Sequence, residues 1–256
     1  MCRILSISGK IEYPEISTAL KEFRRLAEYG KVPKYSKKGH KDGWGIVAYA
    51  KRRPFLFIKS ARDAFLDPKY IEATKSLEKK KIGIMICHLR KAFVGRKNIQ
   101  NSQPFVWKNF SFCHNGTVLE GKKIPLNAKF RGILKGTTDS EKLFVYILQY
   151  LQDIKNADPA AIKNAIEKAV QHIQKNFDFT AMNIVFSDGK YSWALREVNE
   201  KNENVKKEKL MRYYSLFIGH GKMCNIVSSE KLSLENIKWK ALKNHELLQI
   251  SGRHHI

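Results

Sequence analysis

Met1-Cys2-Arg3-Ile4-Leu5 opens the chain, and the role of its second residue decides how the rest is understood. Removal of one methionine makes Cys2 the N-terminus, and the apolar alternation from Cys2 to Ser8 predicts a half-buried strand. A cysteine in that place supplies two catalytic groups at once. Its thiolate is a nucleophile, and its own α-amino group, with an unperturbed pKa of about 7.7–8.0, is a base able to take the thiol proton near neutral pH. The same position also suits a small residue that simply begins a strand.

At 256 residues the chain is long enough to bury a large core, and residues 1–256 are expected to form one domain. No stretch reaches the roughly 18–20 apolar residues of a membrane span, and no basic segment followed by an apolar run opens it, so a soluble cytoplasmic protein is expected. Cys2, Cys87, Cys113 and Cys224 are far apart and form no CxxC pair. That spacing points to reduced thiols and gives no zinc signature. Cys87 and Cys113, inside apolar runs, are expected to be small buried hydrophobes.

The net charge of +24 would attract nucleic acid or another anionic surface. Lysines outnumber arginines 36 to 12, however, whereas bidentate recognition of bases and phosphates favours arginine, and no nucleic-acid-binding motif accompanies them. A solvated basic surface is the expectation, with no nucleic-acid partner.

Outward from the first strand, Ile16, Leu20, Phe23 and Leu26 fall at helical spacing over 16–29, before Gly30. The basic stretch 31–41 is expected to be an exposed loop. It leads to Asp42-Gly43-Trp44-Gly45-Ile46, a turn before a strand through Ala50, whose glycines could also let backbone approach a ligand closely. A second strand over 54–59 and a helix over 67–80 follow. Ile82-Gly83-Ile84-Met85-Ile86-Cys87 is apolar throughout, as a strand buried on both faces would be. It ends in His88-Leu89-Arg90, with His88 and Arg90 on one face. An arginine at the end of a buried strand needs an anion to offset its desolvation, and a carboxylate suits its fork.

The strand 110–113 runs into His114-Asn115-Gly116-Thr117-Val118. Asn-Gly between apolar segments predicts a tight hairpin turn, and such a turn can aim an asparagine NH2 and a glycine N–H at one point, as an oxyanion hole requires. Thr138 with Glu141 fits a capping box before a helix over 142–151, leaving Asp139 to face a cation. A helix over 159–176 should pair with it through a short polar link. Strands are then expected over 180–187, 191–198, 213–219, 225–228 and 247–250, with 199–209 an exposed connection and His254-His255 in a disordered tail rather than a metal site.

A cysteine-led strand, Asp-Gly-Trp-Gly-Ile, His-Leu-Arg-Lys-Ala, His-Asn-Gly-Thr-Val and Thr-Asp-Ser-Glu, in that order, closely resemble the class II glutamine amidotransferases, members of the N-terminal nucleophile hydrolases. The likeness runs from Cys2 to about Leu151, and 227–232 with Trp239 looks like the closing strands of stand-alone members. It implies an α+β fold, a four-layer α/β/β/α sandwich of two antiparallel sheets. It also implies that Cys2 attacks the side-chain amide of glutamine through a glutamyl thioester, that Asn115 and Gly116 hold the oxyanion, and that Arg90 and Asp139 bind the α-carboxylate and α-ammonium. His88, His114 and Trp44 fall to the supporting shell. No cofactor or metal is implied.

Two residues depart from the family pattern: Phe93 stands where a threonine is usual, and Gln103 where a histidine before Pro-Phe is common. The chain is expected to end near the limit of a glutaminase domain, so the resemblance implies either a separate acceptor subunit or hydrolysis for its own sake, with the oligomeric state left open. Alternatives are a γ-glutamyl hydrolase acting on a larger compound and a catalytically inactive fold serving as a binding or regulatory subunit.

Overall fold

Alternation along the first strand, β1 (Arg3–Ile11), sends Ile4 to one side and Leu5 and Ile7 to the other, and both sides are buried. A strand apolar on both faces belongs inside a layered structure. The computed structural model, which describes residues 2–34, 36–50, 52–151, 158–207 and 210–251, places it there.

β1 lies between β4 (Ile82–Leu89) and β10 (Cys224–Ser228), antiparallel to both. With β2 (Trp44–Ala50), β3 (Arg53–Ser60), β9 (Phe217–His220) and β11 (Lys238–Ala241) they form a seven-stranded sheet, ordered β11-β9-β10-β1-β4-β2-β3. A second sheet combines β5 (Phe105–Trp107), β6 (Phe110–Val118), β7 (Phe179–Ser187), β8 (Tyr191–Arg196) and β12 (Glu246–Ser251), ordered β12-β8-β7-β6-β5.

The sheets face each other across a core in which Ile4, Val47 and Ile86 of the first meet Cys113, Val185 and Ala194 of the second. Helices α1 (Tyr13–Tyr29) and α2 (Pro68–Lys75) cover the outer side of the first sheet, where Ile16, Leu20 and Phe23 join Leu5 and Ile7. After the short α3 (Ala128–Arg131), α4 (Asp139–Gln149) and α5 (Pro159–Asn176) cover the second. The order of layers is helix, sheet, sheet, helix, the expected sandwich. The carboxylate of Asp158 caps α5 by accepting from Ala161 N–H at 2.6 Å, and the stripe Ile162, Ile166, Ala169, Ile173 is buried as its spacing predicts. The polar link before α5 and the tail with His254-His255 lie outside the described residues, as does Met1.

Several local expectations are corrected. Asn115-Gly116 is no hairpin turn: β6 runs straight through it, with Asn115 opposite Asn183 and Gly116 opposite Met182 on β7. A Cβ at Gly116 would sit 1.8 Å from the Ala181 carbonyl oxygen, so glycine serves here to let two strands come together, not to reverse the chain. The glycines at 43 and 45 likewise make room for protein rather than ligand. A Cβ on Gly43 would meet Ser102 Oγ at 2.4 Å, and one on Gly45 the Gln103 carbonyl oxygen at 2.5 Å. The strand expected over 213–219 begins only at Phe217, because Tyr213 and Tyr214 are buried in a preceding turn. Within 199–209 a short helix, α6 (Glu203–Lys207), anchors itself through buried Asn202 and Val205.

Among the described residues no helix is long and apolar enough to cross a membrane. In the outer core, Phe144 of α4 stacks on Phe112 with ring centroids 5.5 Å apart and lies 6.1 Å from Phe186. Phe144→Ala is expected to lower unfolding free energy by about 3–5 kcal/mol in urea titrations, since the rings of Phe112 and Phe186 cannot collapse fully onto the space left.

Candidate active site

Cys2 immediately precedes β1 and points, like Ile4, toward the space between the sheets, where β6 brings Asn115 to meet it. Its backbone N–H donates to Asn115 Oδ1 at 2.8 Å. Its thiol donates to the Lys91 carbonyl oxygen at 3.7 Å. Asn115 is fully buried, and its Nδ2 has no hydrogen-bond acceptor among the described residues. A buried amide NH2 without a partner costs about 1–3 kcal/mol, an arrangement that persists where a ligand oxygen is to be held.

Cys2, Arg90, Phe93, His114, Gly116 and Asp139 line one narrow cleft, with about 30 Å³ of it open to water. The structure thus brings together the nucleophile candidate, the arginine, the glycine and the aspartate picked out in the sequence. Arg90 is held by its own backbone: its N–H donates to the Gly43 carbonyl at 2.7 Å and its carbonyl accepts from Asp42 N–H at 3.0 Å. The carboxylate of Asp42 then accepts from Ala92 N–H at 2.9 Å. This is what Asp42-Gly43 does, fixing the end of β4. The Arg90 guanidinium donates to the carbonyls of Val94, Gly95 and Arg96 at 3.1–3.3 Å, so its fork grips the loop that forms the cleft wall. Asp139, at the first turn of α4, accepts from Val118 N–H at 2.8 Å through Oδ2. It therefore bonds a backbone amide rather than standing wholly free for a cation.

The capping box is only half formed. Thr138 Oγ1 accepts from Glu141 N–H at 3.2 Å, but the Glu141 carboxylate turns to Lys135 N–H and Gly136 N–H.

His114 points to the opposite side of β6. Its Nε2–H donates to the Ala181 carbonyl at 3.0 Å, which leaves Nδ1 to accept from the Ser140 hydroxyl at 2.9 Å. It therefore ties β6 to β7 and to the start of α4. Gln103 clamps the His114 backbone from both sides, its Oε1 accepting from His114 N–H at 2.6 Å and its Nε2 donating to the carbonyl at 3.3 Å. A glutamine amide supplies both an acceptor and a donor there, which explains how this position dispenses with histidine. His88 is buried between the sheets, and its ring nitrogens make no well-formed hydrogen bond among the described residues. Trp44 lies away from the cleft: it packs on Tyr70 and donates to Asp67 Oδ2 at 3.0 Å under α2.

Three residues that the sequence did not single out brace the site. Arg3 is fully buried, donates to the Cys2 carbonyl at 2.9 Å, pairs with Glu230 at 2.5 Å and lies over the ring of Tyr213 at 4.5 Å. Glu230 also accepts from Lys31 N–H at 2.7 Å. Asn101 joins the cleft loop to the approach of α4, donating to the Arg96 carbonyl at 3.0 Å and accepting from Thr137 N–H at 2.8 Å. Glu230 lies in the stretch 227–232 and Arg3 beside Cys2, but nothing local in the sequence marks either of them, or Asn101, as a brace. Among the described residues no cluster of histidine, cysteine and acids could hold a metal ion.

An α/β/β/α sandwich with a cysteine at the head of a central strand is the architecture of an N-terminal nucleophile hydrolase. The family profile described as "Glutamine amidotransferases class-II" matches residues 1–252, and the chain belongs to that family. An uncharacterized protein of Methanocaldococcus jannaschii is 26% identical over 97% of this chain and 68% of its own length. Among solved structures, a glutamine aminotransferase class-II domain protein from Silicibacter pomeroyi superposes with a TM-score of 0.58 at 18% identity, covering 98% of this chain and 95% of that one. The glutamine phosphoribosylpyrophosphate amidotransferase from B. subtilis gives 0.63 at 17% identity, covering 98% of this chain and 47% of that one. At such identities these structures establish the fold alone.

Burial pushes the imidazoles of His88 and His114 below the ordinary histidine range. Arg90 reinforces the shift at His88, while Asp139 opposes it at His114. Burial also takes His40, near Arg3, down to about 2. A histidine with a lowered folded pKa contributes stability that is complete above its unfolded value of about 6.5 and is lost as pH falls. Urea unfolding between pH 7 and pH 5 should show stability falling with acid, by up to about 1.4 kcal/mol per pH unit for each of the three. Stability unchanged over that range would contradict the neutral, buried assignment.

Proposed function

We propose that the protein hydrolyses the γ-amide of glutamine or of a γ-glutamyl compound, with Cys2 as nucleophile. The observation that carries this reading is the 2.8 Å bond from Cys2 N–H to Asn115 Oδ1, together with an Asn115 Nδ2 that is buried without an acceptor among the described residues.

Once Met1 is removed, the Cys2 nitrogen is an amine that Asn115 Oδ1 orients, and it takes the thiol proton as sulfur attacks the amide carbon. The developing oxyanion is met by Asn115 Nδ2 and the Gly116 N–H. Collapse of the tetrahedral intermediate breaks the C–N bond, and the Cys2 ammonium gives its proton to the departing ammonia or amine. Water, deprotonated by the same amine, then cleaves the glutamyl thioester and frees glutamate.

Arg90 takes the α-carboxylate and Asp139 the α-ammonium, opposite charges at the two ends of the amino acid. The narrow cleft and the guanidinium's bonds to 94–96 imply that the loop yields as substrate binds. Arg90 then exchanges loop carbonyls for a carboxylate, the stronger acceptor. His114 and Gln103 hold β6 in place without touching the reacting atoms. Ammonia transfer to a separate acceptor subunit is compatible with this reading and is not required by it.

Cys2→Ala should abolish hydrolysis of glutamine while leaving the unfolding midpoint nearly unchanged. Asn115→Ala should lower kcat by about 10²–10³, the cost of one oxyanion donor. Arg90→Lys should raise KM more than it lowers kcat, because a point charge replaces a fork. Full turnover by the Asn115 variant on glutamine and on γ-glutamyl amides would remove the oxyanion assignment.

A further inference from the structure

We propose that the substrate is a γ-glutamyl compound whose leaving amine is anionic, bearing carboxylates or phosphates that a basic collar around the cleft receives. The inference rests on the γ-glutamyl reading of Cys2 and names what lies beyond the scissile bond.

Residues 90–94 line one wall of the cleft and run on to Lys97, and two further segments are tied to residues that line it. Residues 31–41 are fastened to that wall, because Lys91 donates to the carbonyls of Lys37 and Gly39 and Lys97 donates to the Lys41 carbonyl at 2.9 Å. Residues 121–137 touch it at both ends: a Cβ on Gly121 would sit 2.5 Å from the Cβ of Asp139, and Thr137 N–H donates to Asn101. Together these segments contain fourteen lysines and arginines and not one aspartate or glutamate, so more than half of the net charge of +24 is gathered here. Lys37, Lys38, Arg96, Lys122, Lys123 and Lys135 are exposed. Flanking acids pair with three of the fourteen, Asp42 with Lys97 at 3.6 Å, Glu28 with Lys41 and Glu120 with Lys123 at 2.6 Å, which leaves an excess of eleven positive charges.

Flanking segments with a large excess of positive charge raise the local concentration of an anion near the cleft. Free glutamine, with no net charge near neutral pH, gains nothing from this. The γ-glutamyl end needs only Arg90 and Asp139, so the collar faces whatever is attached beyond the γ-carbonyl. Eleven of the fourteen cations are lysines, hydrated point charges suited to a mobile small polyanion rather than to the bidentate reading of a nucleic acid.

The test compares kcat/KM of the full-length processed enzyme on γ-glutamyl-ethanolamine, γ-glutamyl-phosphoethanolamine and γ-glutamyl-glutamyl-glutamate, at low and at high salt. One or both anionic substrates should exceed the neutral one by about tenfold or more at low salt. The advantage should shrink severalfold as salt screens it. Whichever anion wins identifies phosphate or carboxylate as the natural group. Reversing Lys37 and Lys38 to glutamate should remove the advantage and leave glutamine turnover unchanged; if that variant does not fold, the salt comparison still decides.

Equal kcat/KM on all three substrates, or a preference that salt does not touch, overturns the proposal while glutamine hydrolysis stands. Failure of the underlying reading looks different, since none of the three compounds nor glutamine would be cleaved, and the substrate class would fall with it. Salt-sensitive binding of an RNA oligonucleotide without preference for the anionic substrates would assign the collar to nucleic acid and likewise overturn it.

Discussion

The bond between Cys2 N–H and the Asn115 side chain is the constraint around which the molecule is built. It joins the head of β1 in one sheet to the middle of β6 in the other, so it forms only if the two sheets stack at the right offset. The inner core of Ile4, Val47, Ile86, Cys113 and Val185 sets that offset. A core residue lost two strands away would therefore be felt at the thiol, because close-packed interiors transmit displacement rather than absorb it.

The surroundings of Cys2 keep its backbone from moving. Arg3, directly after it, spends its fork on the Cys2 carbonyl, the Lys31 carbonyl and Glu230, with Tyr213 beneath. A buried ion pair is a poor source of stability but a strong source of position, since removing either partner leaves an uncompensated charge. On the other side of the site, Gln103 and Ser140 fix His114, and His114 fixes β6. The first sheet thus holds Cys2 and the second holds Asn115, each braced by buried neighbours.

How much of this the sequence disclosed follows from how local each feature is. Periodicity and helix-start signals located α1, α2, α4, α5 and most strands, though not the short α3 and α6, because a stripe such as Ile162, Ile166, Ala169, Ile173 is written within one element. The cleft residues were legible because each motif carries its chemistry within five residues: His-Leu-Arg at a strand end, Asn-Gly, Thr-Asp-Ser-Glu. Their convergence was not legible from spacing and came from the family resemblance. What escaped was long-range. Asn-Gly signals a hairpin by local preference, and only the approach of Ala181 on β7 shows that the glycine admits a neighbouring strand. Arg3, Glu230 and Asn101 act across wide sequence separations. Trp44, part of a suggestive motif, proves to be core packing under α2.

The central claim is that Cys2, freed of Met1, is an activated nucleophile that accepts a glutamine shape. Intact mass spectrometry of the purified protein before and after exposure to a glutamine-like diazoketone, with Cys2→Ala alongside, tests it directly. A mass lacking Met1 and a single adduct absent from the alanine variant is the predicted result. Met1 retained, with no adduct, would contradict the claim and leave the fold to a binding or regulatory role.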